Sequence, residues 1–278
     1  MVDTSRTITL PDGTSEPRPL TTEIFYPPLG APGPAGATAT PHAAAAQADG
    51  PFPLVVFGHG FAVTPQLYAQ LLRAWARAGY VVAAPVFPLE NADAPGGPDE
   101  SDLVNQPADL RFVISHMLSL SKTSSGPLAR MIDPAEIAVS GQSDGGDTAL
   151  AVAYDGPYRD PRVDAAIVLS GAEIPALPSF TFLQGGPPLL ATQGTADTIN
   201  PPSATEAFFT AAQRPKYVLR LLEAGHLPPY STEQPQLTIV EQVTIAFLDH
   251  YLKHIPSALT RLEALGNAPG TATMLADP

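Results

Sequence analysis

Short apolar runs alternate along the chain with segments in which apolar residues recur at helical spacing. The runs contain four to six residues and predict strands buried on both faces of a sheet, at 54–57, 80–84, 137–140, 165–169, 188–191 and 217–222. The helical spacing predicts helices at 66–78, 107–120, 145–154, 203–212 and 240–252. Because strands and helices alternate, the pattern predicts an α/β fold with a mostly parallel sheet covered by helices on both faces.

The first fifty residues follow another pattern. Residues 6–10 and 21–26 alternate between polar and apolar, which predicts two antiparallel strands joined by a loop and brings the total to about eight strands. Residues 30–51 are almost entirely Ala, Pro, Gly, Thr and Gln, which predicts a low-complexity surface loop. Since neither an internal repeat nor a linker is visible, we expect residues 1–278 to form a single domain.

Composition and charge exclude several classes of function. The 278 residues include no cysteine, which excludes a disulfide scaffold, a thiolate zinc site and a cysteine nucleophile. The net charge of −13 argues against a nucleic-acid partner, because such binding depends largely on Lys and Arg. No apolar stretch approaches the roughly 20 residues of a membrane span. Residues 1–6 contain no apolar segment, so we expect no signal peptide in this chain; a cytoplasmic location and the mature form of a secreted protein both remain open.

The motif with the clearest chemistry is Gly141-Gln142-Ser143-Asp144-Gly145, which matches the pattern G-x-S-x-G. A predicted strand precedes it and a predicted helix follows it, as a nucleophile turn requires. The glycines allow the close backbone approach of such a turn, and Ser143 is the predicted nucleophile. The alternative is a glycine-rich connection whose serine only caps the helix.

A serine hydroxyl needs a base, and the base needs an acid to orient it. His226 follows the last predicted strand and is the predicted general base; the rival is His59, which follows an earlier strand. Asp197 follows the preceding strand and is the predicted acid, although it could instead only cap the next helix, and Glu223 is a competing acid. The order Ser, Asp, His is that of one fold class and differs from the two protease orders.

An oxyanion hole is expected from backbone N–H groups at two turns. One donor is the residue after the nucleophile, Asp144, and the other is Phe61 in the turn after the strand that ends at Phe57. His59 in the same turn is expected to brace the loop.

Several segments carry a resemblance to a known superfamily. They are Pro19–Pro27, Leu54–Phe61, Gly79–Pro85, Gln106–Val113 and Gly141–Gly146. Together they resemble the α/β-hydrolase fold, and within it the group of chlorophyllases, platelet-activating-factor acetylhydrolase-like enzymes and bacterial cutinase-like polyester hydrolases, over roughly residues 5 to 255. The chain departs from these relatives at Gln142 and Asp144, where they often carry His before the serine and Met, Arg or Phe after it.

The resemblance implies a serine esterase without metal or organic cofactor, in which Ser143, Asp197 and His226 form the triad and Phe61 and Asp144 supply the oxyanion donors. The rival functions are a cutinase-like hydrolase of aromatic polyesters, a peptidase or acyltransferase on the same fold, and a non-catalytic binding protein.

The substrate site is expected to be an open cleft. Only 17 residues, 171–187, separate the two strands between which a large cap domain would be inserted. The expected partner is therefore a small-molecule or polymeric ester, and the oligomeric state stays open. The expected apolar wall consists of Phe61, Ile174, Leu177, Phe180, Phe182, Ile199 and Leu227.

Overall fold

The structure is a computed structural model that describes residues 1–31, 39–175, 177, 180–182 and 184–278. The middle of the predicted surface loop, residues 32–38, lies outside the described residues, as do four positions of the segment 171–187.

An eight-stranded sheet forms the centre of the molecule, in the order β10-β9-β8-β7-β6-β4-β5-β3. The six inner strands run parallel, and the two edge strands β3 and β10 pair antiparallel with their neighbours. The strands of this sheet are β3 (Thr22–Phe25), β4 (Phe52–Gly58), β5 (Val81–Pro85), β6 (Ile132–Gln142), β7 (Ala165–Leu169), β8 (Leu189–Gly194), β9 (Lys216–Leu221) and β10 (Ala272–Asp277). The predicted, mostly parallel sheet is confirmed.

In the described part of the chain, six helices cover the sheet: α1 (Ala69–Arg77), α2 (Gln106–Ser121), α3 (Asp144–Tyr154), α4 (Pro202–Ala211), α5 (Gln236–Tyr251) and α6 (Ala258–Gly266). The hydrophobic core has one main layer on each face of the sheet. The first layer contains Trp75 of α1 and Phe247 of α5, and the second contains Ile114 of α2, Leu150 of α3 and Phe208 of α4. Burying these apolar faces against the sheet is the main source of stability for such a layered fold.

The N-terminal segment differs from the prediction. The first predicted strand becomes β1 (Val2–Thr9), which pairs with β2 (Ser15–Pro19) in a separate two-stranded sheet, while β3 joins the main sheet. The expectation that the first two predicted strands pair with each other is therefore wrong. The chain of β2 reads Ser-Glu-Pro-Arg-Pro and has no apolar alternation, so its extended form comes from tertiary contacts.

The C-terminal end adds α6 and β10, which the sequence analysis did not predict. Strand β10 lies at the edge of the sheet and pairs along its whole length with β9. The described part of residues 171–187 forms no helix, which agrees with the absence of a large cap domain. No helix in the described ranges is long and apolar enough to cross a membrane.

A buried ionic network attaches the β1–β2 hairpin to the main body. The guanidinium of Arg18 is 2% exposed and donates to both carboxylate oxygens of Asp102, at 3.0 and 2.6 Å, and to those of Asp109, at 2.7 and 2.7 Å. Arg6 also donates to Asp109, at 2.6 Å. The carboxylates of Asp102 and Asp109 are themselves buried. Removing Arg18 would therefore leave these negative charges without their main partner in a medium of low dielectric constant.

We therefore expect Arg18→Met to lower the free energy of unfolding by about 3–5 kcal/mol. The matched control is Arg220→Met, because Arg220 pairs with Glu206 at 3.6 Å on the surface, and such pairs contribute less than about 1 kcal/mol. Urea unfolding of both variants checks this, and equal losses would contradict a structural role for the buried network.

Candidate active site

The turn that carries Ser143 joins the end of β6 directly to the start of α3. Ser143 has φ 53° and ψ −126°, a conformation that few non-glycine residues adopt. A Cβ on Gly141 would collide with the backbone of Gly145, and a Cβ on Gly145 would collide with the backbone of Gly58. The glycines of the motif thus allow three backbone segments to meet behind the serine, and this packing holds Ser143 in its strained conformation.

The structure brings Ser143, His226 and Asp197 together in one hydrogen-bonded line. The Nε2 atom of His226 lies 2.8 Å from the Oγ of Ser143, and its Nδ1 lies 2.8 Å from the Oδ2 of Asp197. The carboxylate of Asp197 is fully buried and the side chain of His226 is 11% exposed. With Nδ1–H donating to the carboxylate, Nε2 carries no proton and can accept that of the serine; the Nε2 of Gln142 also lies 3.2 Å from it.

Asp197 also shapes its own loop. Its Oδ1 accepts the backbone N–H groups of Ile199 at 2.9 Å and Asn200 at 3.0 Å, before α4 begins at Pro202. One carboxylate oxygen therefore orders the loop while the other faces His226. Glu223, the competing acid, is exposed and makes no hydrogen bond to His226 among the described residues.

The turn after β4 passes beside the nucleophile. A Cβ on Gly60 would lie 3.1 Å from the Cβ of Ser143, so the turn and the serine are in close contact. Within the described ranges, the backbone N–H groups of Phe61 and Asp144 have no hydrogen-bond acceptor. Free N–H groups on both sides of a serine are the arrangement that an oxyanion requires.

His59 braces this turn and is not part of the hydrogen-bonded line. Its Nδ1 donates to the carbonyl of Gly60 at 2.8 Å, and its Nε2 accepts the N–H of Phe87 at 2.9 Å. These two bonds require the neutral ring with its proton on Nδ1. Burial lowers the pKa of His59 to about 4, although the bond to Gly60 acts in the opposite direction.

Nearly half of the chain matches a known protein family. The family model described as Chlorophyllase matches residues 37–168, which include the turn after β4 and Ser143. The chain has the α/β-hydrolase fold. The expected resemblance to the chlorophyllase group is thereby confirmed, and the match supports ester hydrolysis in general terms. The match ends before Asp197 and His226, and no curated protein sequence matches the chain.

Gln142 supports the site in a way that the sequence analysis missed. Its Oε1 accepts the hydroxyl of Tyr68 at 2.7 Å, and its Nε2 donates to the backbone carbonyl of His226 at 3.1 Å. The N–H of Gly60 in turn lies 3.4 Å from the hydroxyl of Tyr68. The side chain therefore connects the turn after β4 to the loop that carries His226. The only sequence signal for this role is that Gln142 stands where the relatives often carry His.

Buried carboxyl groups lie close behind the nucleophile. Asp144 and Asp147, in the first turn of α3, are 8% and 5% exposed, and Glu90, in the loop after β5, is fully buried. Burial raises the pKa of Asp147 well above its ordinary value, opposed by the N–H of Ala172, which donates to Oδ1. Glu90 lies in no motif that the sequence analysis identified, and no sequence pattern signalled its position.

The predicted apolar wall is only partly assembled beside the triad. Phe61 and Ile199 are 41% and 67% exposed, and both lie on loops that carry site residues, as does the half-buried Leu227. These three residues flank the hydrogen-bonded line.

The rest of the expected wall lies elsewhere. Phe182 packs against Tyr154 at the last residue of α3, ten residues beyond the start of that helix, which corresponds to about 15 Å. Phe180 packs against Phe182 with the two rings tilted and 4.9 Å between their centroids, and Ile174 is buried. The structure therefore places the partly buried ring of Phe182 at the far end of α3 and does not bring it to the hydrogen-bonded line.

Phe180 and Leu177 pack around the small cluster that contains Leu103, Ala151 and Ile174. The structure therefore places Phe180, Leu177 and Ile174 with α3 and the loop before α2, and does not bring them to the hydrogen-bonded line.

A voluminous groove in the described part of the chain lies along β3 and α1, and none of the triad residues lines it. In the same part of the chain, no group of three or more His, Asp or Glu side chains is arranged to hold a metal ion.

The neutral state of His59 predicts a specific loss of stability in acid. Its pKa is lowered from 6.5 to about 4, so protonation favours the unfolded chain. The wild-type free energy of unfolding should lose up to roughly 3 kcal/mol from this group between pH 6.5 and 4. His59→Gln should lack this part of the pH dependence, whereas His42→Gln, at an exposed position, should retain it. Urea unfolding at several pH values checks this, and three parallel curves would contradict it.

Proposed function

We propose that the protein is a serine esterase that hydrolyses carboxylic esters through an acyl-enzyme intermediate. The observation that carries this proposal is the unbroken line from Asp197 through His226 to the hydroxyl of Ser143, with 2.8 Å at each step. The family match supports ester hydrolysis in general terms, which agrees with this proposal. A Ser-His-Asp line of this geometry activates serine for attack on a carbonyl carbon.

In the first half of the reaction, Ser143 attacks the ester carbonyl while the Nε2 of His226 takes its proton. Asp197 holds the imidazole in the tautomer that can accept this proton and stabilises the resulting positive charge. The negative charge that develops on the carbonyl oxygen is stabilised by the N–H groups of Phe61 and Asp144. His226 then gives its proton to the departing alcohol, and the acyl group remains on Ser143.

In the second half, water takes the place of the alcohol. His226 accepts a proton from the water as it attacks the acyl carbon, and the serine leaves with that proton. Every proton transfer passes through one nitrogen of one imidazole, so the mechanism needs no group beyond those described.

The substrate has to approach Ser143 between the loops that carry Phe61, Ile199 and Leu227. Ser143 exposes 8% of its surface, so the reacting carbonyl must enter between neighbouring side chains. The exposed rings and chains of Phe61 and Ile199 provide an apolar rim. This arrangement suits neutral esters, because the carboxylate of Asp144 repels an anionic acyl group.

Substitution of the triad tests the proposal. Ser143→Ala should lower kcat on a p-nitrophenyl ester by at least about 10⁴-fold, and Asp197→Asn should lower it by about 10⁴-fold because the imidazole loses its orienting partner. The control is Glu223→Gln, which removes the competing acid and should change kcat by less than about twofold. A Ser143→Ala protein as active as the wild type, or a Glu223→Gln protein impaired like Asp197→Asn, would overturn the assignment.

A polyester substrate is a second candidate, favoured by the exposed apolar side chains on the site loops. A polymer surface would contact Ile199, whereas a short soluble ester needs only the base of the cleft. We expect Ile199→Ser to lower the ratio of aromatic-polyester film hydrolysis to short-ester hydrolysis by about five- to tenfold, as the loss of one buried aliphatic side chain implies. Leu275→Ser, at an exposed apolar position on β10, should leave that ratio unchanged.

No film hydrolysis in the wild type would reject the second candidate and leave the esterase. Amide and alcohol-acceptor substrates in the same assays distinguish an esterase from a peptidase and from an acyltransferase. Amide cleavage that is faster than ester cleavage would favour a peptidase, and acyl transfer that is faster than hydrolysis would favour an acyltransferase.

A further inference from the structure

Glu90 is a fully buried acid with no ordinary partner. It lies in the loop after β5, and neither of its carboxyl oxygens has a hydrogen-bond donor among the described residues. Its carboxyl group lies within hydrogen-bond reach of the carboxyl group of Asp144, whose buried Oδ2 also has no donor in the described ranges. Two carboxyl groups in this position can be satisfied only if one of them keeps its proton and donates it to the other.

The surroundings decide which of the two keeps the proton. Burial raises the pKa of Glu90 to about 10, and the neighbouring charge of Asp144 acts in the same direction. The further charges that act on Glu90 are those of Asp102 and Glu100, in the turn before α2, and they are also negative. Burial, together with the charge of Asp144, also raises the pKa of Asp147, farther along α3. Glu90 is therefore the neutral donor, and Asp144 is the carboxylate that accepts.

The backbone of Glu90 contacts the other side of the site. Its carbonyl oxygen accepts the N–H of Ala62 at 2.9 Å, directly after Phe61. Two further bonds from the same loop support that turn: Phe87 N–H donates to His59 and Ala92 N–H donates to the carbonyl of Val63. The main chain of Glu90 thus contacts the turn that carries the N–H of Phe61. Its side chain contacts Asp144, which carries the other free N–H.

We propose that Glu90 is a positioning residue that fixes the separation of the two oxyanion donors, by a hydrogen bond from its neutral carboxyl group to Asp144 and by its main-chain bond to Ala62. The proposal rests on the proposed function, because it assigns Glu90 a part in stabilising the oxyanion of that reaction. Glu90 touches no reacting atom. It acts through the placement of the N–H groups of Phe61 and Asp144.

The first test compares two substitutions of similar size. Glu90→Gln can still donate an N–H to the carboxylate of Asp144, so kcat should stay within about threefold of the wild type. Glu90→Leu fills the same space without a donor and leaves Asp144 buried without its partner. It should lower kcat by about 10- to 100-fold and change KM by less than about threefold, because oxyanion contacts act in the transition state.

The second test uses pH. Above about pH 9, Glu90 begins to ionise beside Asp144, and the repulsion should separate the donors, so wild-type kcat should fall on the alkaline side. Glu90→Gln should keep its activity there. Asp144→Asn provides a second variant, because a neutral amide beside Glu90 removes both the repulsion and the alkaline fall.

Stability gives an independent measurement with a definite sign. The folded chain keeps the proton of Glu90 at pH values at which the unfolded chain has released it, so this group destabilises the fold increasingly as the pH rises from about 4.5 toward 10. The midpoint temperature of unfolding of Glu90→Gln should therefore rise relative to the wild type between pH 5 and 9.

The outcomes separate this proposal from the proposed function. Hydrolysis that depends on Ser143 but is equally fast in wild type and Glu90→Leu would overturn the positioning role alone. Equal losses in Glu90→Gln and Glu90→Leu, or an alkaline fall that persists in Glu90→Gln and in Asp144→Asn, would also overturn it. A wild type that hydrolyses no ester would reject the esterase and the positioning role together.

Discussion

Three backbone segments meet behind Ser143 without room for a side chain, and the rest of the site depends on this contact. Gly58 at the end of β4, Gly141 in β6 and Gly145 in α3 approach so closely that a Cβ on any of them would meet backbone atoms. The contact forces the turn between β6 and α3 to be sharp and places Ser143 at a positive φ. A conformation of this kind costs of order 1–3 kcal/mol, which the packing around it must offset.

The parallel sheet explains why residues from distant parts of the chain reach the same place. Ser143 follows β6, Asp197 follows β8 and His226 follows β9, and the loops with Phe61 and Glu90 follow β4 and β5. In a parallel sheet, all these loops leave from the carboxyl ends of the strands and lie at one edge. Gln142 adds a direct connection between the loops after β4 and β9, through Tyr68 and His226.

Sequence patterns predicted the parts of this molecule that depend on local regularities. The inner strands and five helices follow from apolar periodicity, and the positions of Ser143, Asp197 and His226 follow from their place after strands. Strand β2 and the edge strand β10 were missed because tertiary contacts make them extended: Arg18 in β2 bonds to buried carboxylates of α2 and the turn before it, and β10 pairs with β9. The apolar periodicity of the sequence does not predict such tertiary contacts.

Sequence patterns also failed to predict the role or position of some site residues. Glu90 lies in a loop without a motif, and its meaning appears only when Asp144, 54 positions later, is seen beside it. Phe182 was predicted to line the cleft, but the path of a loop decides where such a ring lies. Its partly buried ring packs against Tyr154 at the far end of α3.

Two buried, neutral groups in this site have opposite linkage to pH. His59 is held neutral below its ordinary pKa, so the fold loses stability in acid, whereas Glu90 is held neutral above its ordinary pKa, so the fold loses stability as the pH rises. Both hold the same turn, His59 through Gly60 and Phe87, and Glu90 through Ala62. A turn braced by two uncharged groups keeps its geometry over the interval between the two pKa values, about 4 to about 10. The separation of the two oxyanion donors in the proposed reaction therefore stays the same throughout this interval.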